Sequence, residues 1–124
     1  MSTEQNKAIV RRLLTEVLAG GNIDLIDDLL APTYVNRTMH TDLAGFKAFL
    51  TATPSTVHRF EIEDLVAEGD AVVARFSFEM PDATGKKVTV RGLTYYRLAD
   101  ARVVEDEPIT TPDLAALMPS PVGA

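Results

Sequence analysis

Three consecutive acids, Glu105, Asp106 and Glu107, end a β-rich run that begins at Arg102. Successive side chains of a strand point to opposite faces. Glu105 and Glu107 therefore share a face with Val103, and Asp106 shares the other with Val104 and Pro108. A register with Asp106 inward buries one acid, whereas the opposite register buries two, so Asp106 is expected inside. Desolvation raises the pKa of a buried carboxylate unless a cation such as Arg37 or a histidine reaches it. That makes Asp106 the first candidate for a general acid or base. The structural alternative is a strand-end carboxylate paired with an arginine or open to water.

Other polar groups could work with it. Tyr95 and Tyr96 are adjacent and must face opposite ways. Tyr96 has the parity of Val88, Val90 and Thr94, so Tyr96 and Thr94 are expected inside. A buried phenol can donate to a developing enolate or alkoxide, or simply satisfy itself within the core. The two histidines are His40 and His58. His58 has the parity of Phe60 and Ile62, which places it at a pocket mouth. Two histidines without a third regularly spaced ligand make no zinc motif, and no metal site is expected. The catalytic candidates are thus Asp106, His58 and Tyr96. Substrate contacts are expected from Tyr34, Asn36, His40, Phe46, Phe76, Phe78, Thr94 and Asp113. Asn36, on the face of Tyr34, can orient a ligand carbonyl or serve turn chemistry at the strand end. The phenylalanines either line a pocket or fill it, since ligand pockets are mostly apolar with few polar groups. Ala83-Thr84-Gly85-Lys86 lacks the first glycine of a phosphate loop, and no dinucleotide fingerprint or nucleophile elbow is present.

The elements that must hold these groups follow from periodicity. Ser2 and Gln5 fit a capping box. Ile9, Val10, Leu13, Leu14, Val17 and Leu18 then recur at helical spacing until Gly20-Gly21. A second short helix is expected over 23–30, closed by Pro32. A short strand covers Tyr34 to Arg37. Asp42 can cap a third helix bearing Leu43, Phe46, Phe49 and Leu50, broken at Thr53-Pro54-Ser55. Strands are expected over 58–68, 71–80, 86–98 and 102–108, with turns at Gly69-Asp70, at 81–85 and around Asp100. A last short helix is expected over 114–118. Segregated helices and antiparallel strands mean α+β. The expected architecture is a cone: a curved antiparallel sheet wrapped around three N-terminal helices, with an internal apolar pocket. Residues 1–118 form one domain and 119–124 a loose tail. The outer sheet face, with Arg75, Glu79, Arg91 and Arg97, meets solvent or a second subunit.

Composition narrows the function. The 124 residues carry a net charge of −6, which argues against nucleic acid or an anionic membrane as partner. There is no cysteine, hence no disulfide or thiolate site. The longest apolar runs are too short to span a membrane. The N-terminal residues lack the pattern of a signal peptide, so a cytoplasmic location is expected.

Several stretches carry a family likeness. Asn6 to Leu14, Gly21-Asn22-Ile23-Asp24 and Leu30-Ala31-Pro32-Thr33-Tyr34-Val35 resemble the start of SnoaL-like polyketide cyclases. Glu63 to Arg75 resembles their central hairpin, and Ala83-Thr84-Gly85-Lys86 and Arg102-Val103-Val104-Glu105 resemble the following turn and strand. The resemblance implies the cone fold of the nuclear transport factor 2-like superfamily and, usually, a homodimer. It implies cofactor-free chemistry on a small hydrophobic oxygenated molecule: cyclisation, isomerisation, dehydration or epoxide opening. The alternatives are a binding module of the same fold without turnover, or a dimeric interaction module. Where the family often has a histidine after the Tyr-Val pair, this chain has Asn36-Arg37. Where many members continue with His-Trp, it has Asp106-Glu107. The family's later aspartate falls on Thr111 without a gap, or on Asp113 with a shift of two.

Overall fold

The computed structural model describes residues 2–52 and 57–117. The tail 119–124, Met118 and the break at Thr53-Pro54-Ser55 lie outside the described residues. Helix α1 spans Thr3–Arg12. Its Ser2 hydroxyl accepts the Gln5 N–H at 3.0 Å, and Gln5 Oε1 accepts the Ser2 N–H at 2.9 Å. The helix runs on as a wider π-helical segment, Leu13–Ala19, that buries Leu13, Leu14 and Val17. Gly21, at φ 72°, then turns the chain in a conformation that glycine adopts without strain.

The expected second helix is shorter than its apolar pattern. A 3₁₀ turn, Ile23–Leu25, precedes α2, Ile26–Leu29. Leu30 is already extended, and Pro32 lies within strand β1, Leu30–Asn36. A two-residue strand β2, Thr41–Asp42, pairs with the end of β1. Asp42 then caps α3, Leu43–Ala52, by accepting the Gly45 N–H at 2.9 Å. The remaining strands are β3 (His58–Glu68), β4 (Ala71–Pro81), β5 (Lys87–Ala99) and β6 (Arg102–Thr111), and a short α4 covers Leu114–Leu117.

The six strands form one sheet in the order β2-β1-β6-β5-β4-β3. The meander from β3 to β6 is antiparallel throughout. The β1–β6 pair is parallel, so the sheet is mixed rather than antiparallel. The long excursion through α3 and the meander supplies the crossover that parallel pairing requires. Helix α1 packs on β3 and β4, α2 on β1 and β6, and α3 on β1. Val10, Leu14, Ile26 and Leu29 from the helices meet Val72, Ala74, Val90 and Val103 from the sheet. The helices therefore cover one face of a curved sheet, the α+β cone, and leave its convex face open.

Candidate active site

Asp106 sits where β1 and β5 flank β6. Tyr96 is directly opposite it on β5, and Asn36 opposite it on β1. The Arg37 N–H donates to the Asp106 carbonyl at 2.9 Å, which pins the end of β1 to this position. Asp106 faces inward and is 6% exposed. The alternation that predicts this is incomplete. Leu98 pairs with Val103 but Arg97 pairs with Glu105, so Val104 is an extra residue between them. This bulge puts Val103 and Asp106 on the same face despite their opposite parity. Val103, not Val104, is the buried neighbour.

Four further polar or aromatic groups share the interior. Tyr34 and Asn36 point inward from β1, with Val35 between them exposed, and Thr94 and Tyr96 point inward from β5. The Tyr34 hydroxyl donates to Asp106 Oδ1 at 2.8 Å. Burial pushes the Asp106 carboxyl up to about 7, and the Tyr34 hydrogen bond holds it back. No cation contributes to that balance. Burial, then the Asp106 charge, push both phenols above their ordinary value, so both stay protonated donors. Asn36 Oδ1 accepts the N–H groups of Thr38 at 3.0 Å and Met39 at 2.9 Å. The turn reading of Asn36 is therefore met, in a side chain that also faces the interior.

The phenylalanines are packed. Phe46 tilts against Tyr34 with ring centroids 5.5 Å apart. Phe76 and Phe78 stack with Phe60 at 5.5 and 5.8 Å. They form an aromatic wall on β3 and β4, with Phe76 two rows and Phe78 three rows along the inward face from Asp106. The structure does not bring the histidines to Asp106. His58 is exposed at the start of β3, where the register with β4 shifts, and His40 is exposed at φ 55° in the turn after β1. Alternation misplaces His58 because that irregularity breaks the period of two. Thr111 and Asp113 are exposed beyond the site.

Two open clefts of about 400 and 410 Å³ lie elsewhere. One is lined by Val35, His40, Thr41 and Asp42, the other by Asn6 and the two hairpin turns. Neither includes Asp106. Among the described residues, no helix is long and apolar enough to cross a membrane.

A cone of this topology with a polar group buried in its interior defines a class. The SnoaL-like domain family matches residues 10–106, and the chain belongs to that family. A candidate polyketide cyclase from Acidithiobacillus ferrooxidans superposes with a TM-score of 0.75 at 26% identity, over 94% of this chain and 97% of that one. TsrD from Streptomyces laurentii gives 0.76 at 22%, over 94% of each chain. An NTF2-like protein of unknown function from Burkholderia pseudomallei gives 0.75 at 16%, over 96% of this chain and 100% of that one. The last two likenesses speak to fold alone. No curated protein matches the chain.

Proposed function

We propose that this protein is a cofactor-independent acid–base enzyme acting on a small, neutral, apolar, oxygenated molecule. The reaction is of the cyclase, isomerase, dehydratase or epoxide-opening type. The observation that carries the reading is the buried Asp106 carboxyl, hydrogen-bonded to Tyr34 and poised near neutral pH. A group with that balance can take a proton from carbon or oxygen and return it. Tyr34 gives its proton to Asp106, and Tyr96 is the donor beside them suited to steady charge that develops on a substrate oxygen. Since no cation shifts Asp106, its carboxylate would repel an anionic substrate and would not repel a neutral one. The substrate would reach the site past α3 and the ends of β3 and β4, where Leu43, Leu50, Phe60 and Met80 are only partly buried.

The packing of Phe46, Phe76 and Phe78 favours a second reading, a filled cone that binds without turnover or serves only in assembly. One experiment separates them. Neutral enolisable ketones and epoxides are incubated with the protein in D₂O, and α-carbon exchange and ring opening are followed by NMR. Catalysis that falls by at least ~100-fold in Asp106→Asn supports the enzyme. Activity indifferent to that change, or binding without turnover across the set, overturns it.

A further inference from the structure

Tyr34 has one proton and gives it to Asp106. What fixes the hydroxyl in that role is the other side of its oxygen. Tyr34 and Asn36 are two residues apart on β1, on the same face, and 0% and 2% exposed. The Asn36 carboxamide has little freedom. Its Oδ1 takes two backbone N–H groups from the turn that leaves the strand. Flipping the amide would set an NH₂ group against those donors, so the Nδ2 end is the one turned away from the turn. That donor end lies on the same buried face as the Tyr34 hydroxyl, and Asn36 is the one neighbour whose influence favours a negative oxygen there. A hydroxyl that already accepts a hydrogen bond is a stronger donor through its own proton. The turn amides donate to Asn36 and Tyr34 donates to Asp106, and donation from Asn36 to Tyr34 is the link that the inference supplies.

We propose that Asn36 is a positioning residue, which locks the Tyr34 hydroxyl as a donor to Asp106 and so controls where the acid's proton resides. The inference rests on Asp106 as the acid–base group, but not on any turnover. Loss of Asn36 weakens the Tyr34 bond, and that bond stabilises the ionised carboxylate. Asp106 then holds its proton to higher pH. The titratable groups facing Asp106 are Tyr34 from β1 and Tyr96 from β5. Asp27 and Asp28 on α2, which packs against β6, are exposed. Glu105 is engaged with Arg37 and Arg97 away from the interior.

The test is a double-mutant cycle read by the carboxyl ¹³C titration of Asp106 in the unliganded protein. Asn36→Ser keeps an oxygen for the turn amides but loses the reach to Tyr34. It is expected to raise the Asp106 midpoint by about half a unit or more. In a Tyr34→Phe background the same change is expected to move it no further, because the path runs through the hydroxyl. Asn36→Thr, which also offers a hydroxyl and suits a strand, replaces the serine variant if that does not fold. A purely structural Asn36 would lower the melting temperature and leave the titration unmoved. No shift, or the same shift in both backgrounds, overturns the proposal. Failure of the enzyme reading would leave the cycle unchanged, so the two are judged separately.

Discussion

In the proposed acid–base role, the burial that readies Asp106 for chemistry also costs the fold stability. Its ordinary pKa is near 4, and burial pushes it to about 7 in the folded chain. Between those values the folded state binds a proton that the unfolded state does not. Stability therefore falls as pH rises from about 4 to about 7, by roughly 4 kcal/mol in total if the whole shift is realised. Glu105 acts in the opposite sense. Arg97, then Arg37, hold its carboxyl below its usual range, so its contribution is lost only as pH falls through that lowered value. Comparison with Asp106→Asn cancels Glu105 and isolates Asp106. The amide keeps an acceptor for Tyr34 and cannot ionise. The variant is expected to match the parent at pH 4 and to exceed it by a few kcal/mol at pH 8. Denaturant titrations across that range check it, and parallel curves for the two proteins would show that Asp106 is not a strained buried acid.

At the scale of elements, the aromatic wall depends on a residue with no side chain. Gly92 is buried on β5 beneath Phe76, and a Cβ there would lie 2.4 Å from Phe76 Cζ and 2.5 Å from Cε2. Phe76 also stacks with Phe60 and Phe78, so its ring cannot move alone. Gly92→Ala is expected to destabilise the fold by about 1–3 kcal/mol, the usual cost of overpacking. A urea midpoint unchanged from the parent would mean that the wall yields freely. The strands of this meander were legible in the sequence because half-buried strands alternate. His58–Glu68 has the extent that its pattern predicts, and Tyr96 and Thr94 face inward as their parity requires. The capping box and the Asp42 cap were legible from local hydrogen-bond chemistry. What alternation cannot carry is an extra residue. The Val104 bulge and the irregular start of β3 each reset the period, so Val104 and His58 were misplaced. Parallel pairing of β1 with β6 left no local mark at all, and with it the Tyr34–Asp106 contact was hidden. That contact joins residues 72 positions apart.

For the whole molecule, the open question is what covers the convex face. Val66, Val73 and Tyr95 lie side by side across β3, β4 and β5, at 59%, 38% and 42% exposure. Leu93 and Ile109 pair across β5 and β6 in a neighbouring row, at 51% and 65%. An apolar area of this kind, rimmed by charge, is typical of an interaction surface. Some of the charges beside it are paired within the chain, while Arg91 and Glu107, of opposite sign, are exposed on the same face outside the ion pairs of the described residues. Arg75 meets Glu63 at 3.3 Å, and Arg97 meets Glu105 at 2.7 Å. Two copies brought together about a two-fold axis would bury the same rows against each other, with Arg75 and Arg97 already paired and the opposite charges of Arg91 and Glu107 left to meet across the axis. We propose that the chain forms such an isologous dimer, and light scattering at micromolar concentration is expected to return twice the chain mass. Ile109→Lys sets a new cation at the most exposed apolar position of this face, and the two-fold brings in its copy from the partner. An added cation at a desolvated contact is costly, so the variant is expected to run as a monomer with an unchanged circular dichroism spectrum. A parent protein of monomer mass would rule out the assembly. A parent dimer that survives Ile109→Lys would place the contact on another surface.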